Sequence, residues 1–291
     1  MKIEYDTEKV MITNEFFNIA KISRSGQCFR IIEIEPDKYE IIAKGKRLIA
    51  IQDEAKVILL CNKSEYELVW EEYFDLNYSD QDLYSKINDL INKSEDKFLI
   101  KCSEYSKGIR ILNQNPWEML ISFILSQQNN IPRIRKMIEN LCDSVFGCDL
   151  KNGYIKYLPF PNSRDILMLS EYQLDSIKMG YRKKYVVESS KYVNSRIIDL
   201  SRVRRLNNTQ EIIDNLKEFP GVGDKIANCV ALFGYHRLDS FPIDVWIKKV
   251  IDLKYGGSLI LSKDLYKYRG VVQQYIYYYS LNHKDEFKEE K

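Results

Sequence analysis

The chain has 291 residues, 45% hydrophobic and 30% charged, with 44 lysines and arginines against 42 aspartates and glutamates, proportions that suit a globular protein of about two domains. No stretch of ~18 apolar residues is available to span a membrane, and the start, Met1-Lys2-Ile3-Glu4-Tyr5-Asp6, lacks the apolar segment of a secretory signal, so a cytoplasmic or nuclear protein is expected. Six irregularly spaced cysteines (Cys28, Cys61, Cys102, Cys142, Cys148, Cys229) with no CxxC pair, and two histidines (His236, His283), exclude a compact iron–sulfur cluster, a histidine zinc site and a Ser-His-Asp triad, and read as reduced thiols.

Residues 1–105 carry 15 basic against 21 acidic side chains, a balance of −6. Short β-rich runs stand here: Tyr39-Glu40-Ile41-Ile42, Leu48-Ile49-Ala50-Ile51 and Val57-Ile58-Leu59-Leu60. Pro36-Asp37 and Gly45-Lys46 supply the turns between them. An antiparallel sheet is expected over residues 1–75, with helices after about Tyr73. Residues 106–291 carry 29 basic against 21 acidic side chains, a balance of +8. An anionic partner would therefore meet this second part, unless the difference is ordinary surface variation.

Asn115-Pro116-Trp117-Glu118 reads as a helix start: Asn caps, Pro is tolerated in the first turn, and Glu reaches back to the cap. Ser126-Gln127-Gln128-Asn129-Asn130 interrupts the apolar pattern, and a second helix follows with Ile134, Ile138, Leu141 and Cys142 on one face. Further helical runs flank Gly180-Tyr181-Arg182, and residues 284–291 read as a frayed tail.

The most informative stretch is Phe219-Pro220-Gly221-Val222-Gly223-Asp224-Lys225. A helical pattern over residues 211–218 leads into a tight hairpin. A second helix follows, with Ile226, Cys229, Val230 and Phe233 at i, i+3, i+4, i+7. Two glycines one residue apart leave backbone N–H groups open at a helix N-terminus, a corner that binds phosphate; an ordinary core turn is the plain alternative. At the start of this helix, the dipole and partial burial would disfavour the ammonium form of Lys225, as a nucleophilic amine requires. Asp244 stands 19 residues on, in Phe241-Pro242-Ile243-Asp244-Val245-Trp246. It can cap the next helix with one oxygen and face a substrate with the other, stabilising positive charge on a sugar ring.

Gly221-Val222-Gly223-x-Lys225 followed by Pro242-x-Asp244 resembles the helix-hairpin-helix-GPD superfamily of DNA glycosylases, and within it the 8-oxoguanine DNA glycosylases. The resemblance runs from about Gly26 to Leu281. It implies an α+β protein, with an N-terminal antiparallel β-rich domain over 1–105 and a mostly helical glycosylase region over 106–291, whose hairpin lies around 211–234. It implies excision of 8-oxoguanine from duplex DNA by a monomeric bifunctional glycosylase/AP lyase in base excision repair. Lys225 would attack the sugar through a Schiff base, assisted by Asp244.

Further roles follow from the resemblance. In Gly26-Gln27-Cys28-Phe29-Arg30 the Gly26 carbonyl would accept the N7–H that only the oxidised base carries. Cys229, Gln273 and Tyr277 would enclose the flipped base, the last two sharing a helix face at i and i+4. Gln128 would fill the hole left in the duplex, where familiar members have Asn. Arg133 and Arg182 would read the orphaned cytosine, and Tyr181 would wedge the stack. Gly221, Gly223 and Trp246 would meet phosphates, although Trp246 replaces a familiar His and cannot carry charge. No cofactor is required; a monovalent or divalent cation on the carbonyls of Lys217, Phe219 and Val222 is implied by the resemblance alone. A sister glycosylase for another damaged purine, or a DNA-binding module without chemistry, remains as an alternative. Without the family, Gly26 is a turn glycine, the 126–130 segment an inter-helix turn, and Tyr275 and Tyr278 core residues.

Overall fold

In the computed structural model, residues 1–77 and 82–287 are described. Six strands, β1 (Lys2–Tyr5), β2 (Val10–Thr13), β3 (Ile31–Glu35), β4 (Lys38–Ala43), β5 (Lys46–Asp53) and β6 (Lys56–Leu59), form one antiparallel sheet in the order β1-β2-β6-β5-β4-β3. Alternation decides which face is buried. Tyr39, Ile41 and Ala43 of β4, Leu48 and Ala50 of β5, and Val57 and Leu59 of β6 point inward. They meet Phe17, Ile19, Ile22, Trp70 and Phe74 in one apolar core.

The β4–β5 turn is Lys44-Gly45, both at positive φ (49° and 70°), with Lys46 already paired in β5. The expected Gly45-Lys46 turn is thus displaced by one residue. Helix also begins earlier than Tyr73. Residues 63–73 are helical throughout, with a π-helical stretch at Tyr66–Trp70 that turns Tyr66, Trp70 and Tyr73 onto the sheet core.

The remaining helices build a second, larger core, which takes in Tyr84, Ile87, Ile91, Leu99 and Cys102 from before residue 105. Arg110 joins the two parts. Completely buried, it donates to the carbonyls of Phe16, Phe74 and Asp75 and pairs with Asp82 at 2.9 Å. The helix Pro116–Ser126 lies against Asp224–Gly234, closely enough that a Cβ on Gly234 would stand 3.0 Å from Pro116 Cα. Arg269–Asn282 closes the core. The expected frayed end is anchored as far as it is described: Lys284–Phe287 form a 3₁₀ turn, and Phe287 is buried with its ring 6.2 Å from that of Phe98. Residues 288–291 of that tail lie outside the described residues. No helix among the described residues is long and apolar enough to cross a membrane.

Candidate active site

The hairpin helices run over Thr209–Lys217 and Asp224–Gly234, the first capped by Asn208, whose side chain accepts from the Gln210 and Glu211 amides. Gly221 sits at φ +78°, and a Cβ there would lie 2.6 Å from the ring of Tyr185, so both conformation and space demand glycine. Gly223 caps the second helix in extended backbone, and nothing stands within 4 Å of where its Cβ would be. The helix N-terminus is therefore open to a ligand, with the positive end of the dipole behind it. An ion pair of 2.6 Å between Lys217 and Asp224 braces the hairpin.

Lys225 is half-buried in the first turn, its Nζ 5.3 Å from the Phe123 ring centroid. Cys229, one turn on, is buried; that burial pushes its thiol up while the charge of Lys225 pulls it down. Asp244 caps the helix Val245–Tyr255, accepting the Ile247 amide on Oδ1 at 2.7 Å. No side-chain or backbone group among the described residues hydrogen-bonds its other oxygen, and Lys225 forms no ion pair among them, its side-chain partner being the Cys229 thiol.

Gly26 stands at φ +77°, directly beneath Tyr277, whose Cε1 would be 3.2 Å from a Cβ. Its position is held by a residue the sequence reading left without a role. The buried amide of Gln27 donates to Ser25 Oγ and the Arg110 carbonyl, and accepts from the Leu112 amide. Gln274 also went unassigned; it donates to the Ser25 carbonyl at 2.6 Å. Both are glutamines beside glycine or a second glutamine, the only signal a sequence offers for such backbone clamps. Gln273 is buried, and its Oε1 has no hydrogen-bond partner among the described residues, which leaves an acceptor whose burial they do not compensate. Burial raises the Tyr277 phenol well above its ordinary range, with the Asp244 charge adding to the shift.

Gly26, Lys225, Cys229, Asp244, Gln273 and Tyr277, together with Phe123, line one cavity of about 50 Å³. Lys225 and Asp244 also line an adjoining cleft of about 400 Å³, with Gln128, Val245 and Lys248. The two groups expected to act on a sugar thus stand at the threshold between a small pocket and a wide surface cleft.

Residues 9–120 match the family model of the 8-oxoguanine DNA glycosylase N-terminal domain, and residues 121–258 match that of the HhH-GPD superfamily base excision DNA repair proteins. A Clostridium acetobutylicum 8-oxoguanine glycosylase/lyase, solved with double-stranded DNA containing cytosine opposite 8-oxoG, is 30% identical, covers 98% of this chain and 99% of its own, and superposes with a TM-score of 0.83. The structure of MBOgg1 with a low-affinity DNA ligand is 31% identical, with 97% and 99% coverage and a TM-score of 0.84. The N-glycosylase/DNA lyase of Saccharomyces cerevisiae is 29% identical over 88% of this chain and 73% of its own length. The chain belongs to the 8-oxoguanine DNA glycosylase family, within the HhH-GPD superfamily.

In this member of the 8-oxoguanine DNA glycosylase family the residues expected to meet the opposite strand fall into two groups. Tyr181 is 51% exposed beside Gly180 at φ +61°, Gln128 is exposed at φ +46°, and Arg133 is exposed with its amide on the Asn130 side chain and no side-chain hydrogen bond among the described residues. Arg182 differs. It is buried at 4% exposure, with Nε on the Gln127 carbonyl at 2.9 Å, further bonds to the Gln127 and Gln128 carbonyls, and one to Met179. Expected as a second reader of the orphaned base, it holds in this structure the turn that presents Gln128, with four of its five donors on backbone carbonyls. Trp246 is half-buried with the Lys284 ammonium 5.9 Å from its ring, which places one cation beside the residue that cannot itself be charged.

Proposed function

We propose that this protein removes 8-oxoguanine from duplex DNA and cleaves the strand, as a monomeric glycosylase/AP lyase. The observation that carries the reading is the convergence of Lys225 and Asp244 with Gly26, Cys229, Gln273 and Tyr277 on one pocket. Family relatives of this similarity carry those activities in their names.

The duplex lies along the wide cleft, with a phosphate at the open N–H groups of Gly221 and Gly223. Tyr181 enters the stack and Gln128 fills the space behind the flipped nucleotide. A pocket of about 50 Å³ is closed to a purine, so the Tyr277 ring withdraws from Gly26 as the base enters. The base then lies between Cys229 and Tyr277. Gln273 Oε1 gains the donor it lacks, and the Gly26 carbonyl takes the N7–H of the oxidised base. Lys225 Nζ attacks C1′, the C1′–N9 bond breaks, and the base leaves with its bonding electrons. The free oxygen of Asp244 faces the positive charge that develops on the sugar. Ring opening gives a Schiff base on Lys225, and loss of the C2′ proton expels the 3′ phosphate by β-elimination.

A monovalent or divalent cation fits the hairpin: the carbonyls of Lys217 and Val222 accept no hydrogen bond among the described residues, and that of Phe219 accepts only the Val222 amide. Bound there, it would take oxygen ligands and add positive charge facing a phosphate.

The test is borohydride trapping on a duplex carrying 8-oxoguanine. Wild type should become covalently linked, and Lys225→Gln should lose the link while retaining DNA binding. Undiminished trapping in that variant would overturn the assignment.

A further inference from the structure

A second cavity, of about 350 Å³, lies between the β4–β5 turn and the start of the helix Pro116–Ser126. It is larger than the lesion pocket and falls in the range that small-molecule sites occupy. Three charged residues line it: Lys44, paired with Glu72 at 3.1 Å, and Arg30 and Glu118, each about nine-tenths buried at 9% exposure. Glu118 makes no side-chain hydrogen bond and no ion pair among the described residues; Arg30 makes a single hydrogen bond, from Nη2 to the Leu158 carbonyl. Ile42, Trp117, Phe160 and Val193 supply apolar and aromatic walls, and Trp117 is fixed by its Nε1 bond to the Pro161 carbonyl at 2.9 Å. The lesion pocket is lined from the same helix by Phe123, five residues or about 7.5 Å from Glu118 at 1.5 Å per residue, and the two cavities share no lining residue, so they are separate.

A buried carboxylate and a buried guanidinium that do not pair directly have only a longer-range attraction to set against their desolvation cost. A ligand that offers donors to one and an acceptor to the other relieves both. We propose that this cavity binds a free guanine-type base. Its N1–H and N2–H₂ lie side by side and match the two oxygens of a carboxylate, and O6, next along the same edge, accepts from a guanidinium. The flat ring suits aromatic walls. Adenine reverses the pattern, presenting an acceptor at N1 between a donor amine and C2–H, and leaves Glu118 facing a lone pair. Guanine and its 8-oxo derivative share the recognised edge, so the base released by the reaction proposed above belongs to the same ligand class. That link rests on the proposed activity; binding of the base does not.

The experiment is saturation-transfer NMR and calorimetry with 9-methylguanine, using 9-methyladenine as control. Wild type should bind 9-methylguanine at least ~10-fold more tightly than 9-methyladenine, the discrimination expected of a two-bond contact to a charged group. Glu118→Gln should weaken 9-methylguanine ~10-fold or more. Val193→Trp, which adds bulk at a lining position and leaves both charges in place, should do the same. Gln273→Ala, in the lesion pocket, should leave binding unchanged. The proposal is overturned by loss of binding in Gln273→Ala, by equal affinity for the two bases, by full binding in both cavity variants, or by no binding at all, which would leave the cavity to solvent only. None of these outcomes bears on Lys225 trapping.

Discussion

Asp244 caps a helix with one oxygen, 2.7 Å from the Ile247 amide, and lines the pocket and cleft shared with Lys225. Asn caps nearly as well as Asp, so Asp244→Asn should melt within about 2 °C of wild type. Without the preorganised charge, single-turnover excision should slow by at least ~10-fold. Equal activity at equal melting temperature would make the residue purely structural. Glu118 offers a separate test by pH. Burial pushes its carboxyl from the ordinary 4.5 up to about 7, against the pull of Arg30. The folded state therefore holds this proton to higher pH than the unfolded state does. The stabilising contribution is complete below about pH 4 and is lost as pH rises through 7, by roughly 3 kcal/mol for a shift of this order. Glu118→Gln is neutral throughout, so its melting temperature should gain on wild type between pH 5 and pH 8. Parallel melting curves across that window would show that Glu118 ionises freely in the fold.

Between elements, the ring of Tyr185 is the piece that ties the wedge to the hairpin. It lies 6.2 Å from the Tyr181 ring at 82°, and on its other side fills the space a side chain at 221 would need. The hydroxyl makes no hydrogen bond among the described residues, so packing alone gives Tyr185 its effect. Tyr185→Leu should lower excision on duplex DNA by ~10-fold through a slack wedge and hairpin, at a stability cost of about 1–3 kcal/mol for the lost packing. Tyr185→Phe should behave as wild type in both respects. A Leu variant with full activity would mean that the wedge and the hairpin act independently.

For the molecule as a whole, the fold presents one face on which hairpin, wedge and polar turn converge. Arg133 is exposed there with no side-chain hydrogen bond among the described residues, whereas Arg182 bonds the Gln127 and Gln128 carbonyls. A guanidinium donates to cytosine O2 and N3 and meets a donor amine on adenine, a difference of about 1–3 kcal/mol, or one to two decades in rate. Excision of 8-oxoguanine should thus be faster opposite cytosine than opposite adenine, and Arg133→Met should narrow the gap. Arg182→Ala should slow all four opposite-base duplexes by a similar factor, because it loosens the turn itself. Single-turnover rates opposite C, T, G and A decide this; selective loss opposite cytosine in Arg182→Ala would return that residue to the role of reader.

Local chemistry made much of this legible in the chain. The Gly-x-Gly hairpin with Lys225, the capping position of Asp244, and the alternation in β4, β5 and β6 depend on neighbours in sequence, where turn conformation, capping and period are decided. Even there, β1, β2 and β3 and the early helix at 63–73 went unseen: unlike the unbroken Val57-Ile58-Leu59-Leu60, β1 and β3 are interrupted by charged residues, and a π-helical stretch departs from the α-helical period of about 3.6 residues. What only the tertiary structure decided concerns partners far apart in the chain. Gln27 reaches Arg110 and Leu112 across 83 and 85 residues, Arg182 reaches the Gln127 carbonyl across 55, and Gln274 reaches Ser25 across 249. A glutamine or arginine reads the same in a sequence whether it will lie in solvent or clamp a backbone turn. Its role is set by which carbonyls packing brings within 3 Å and removes from water, and no local pattern encodes that.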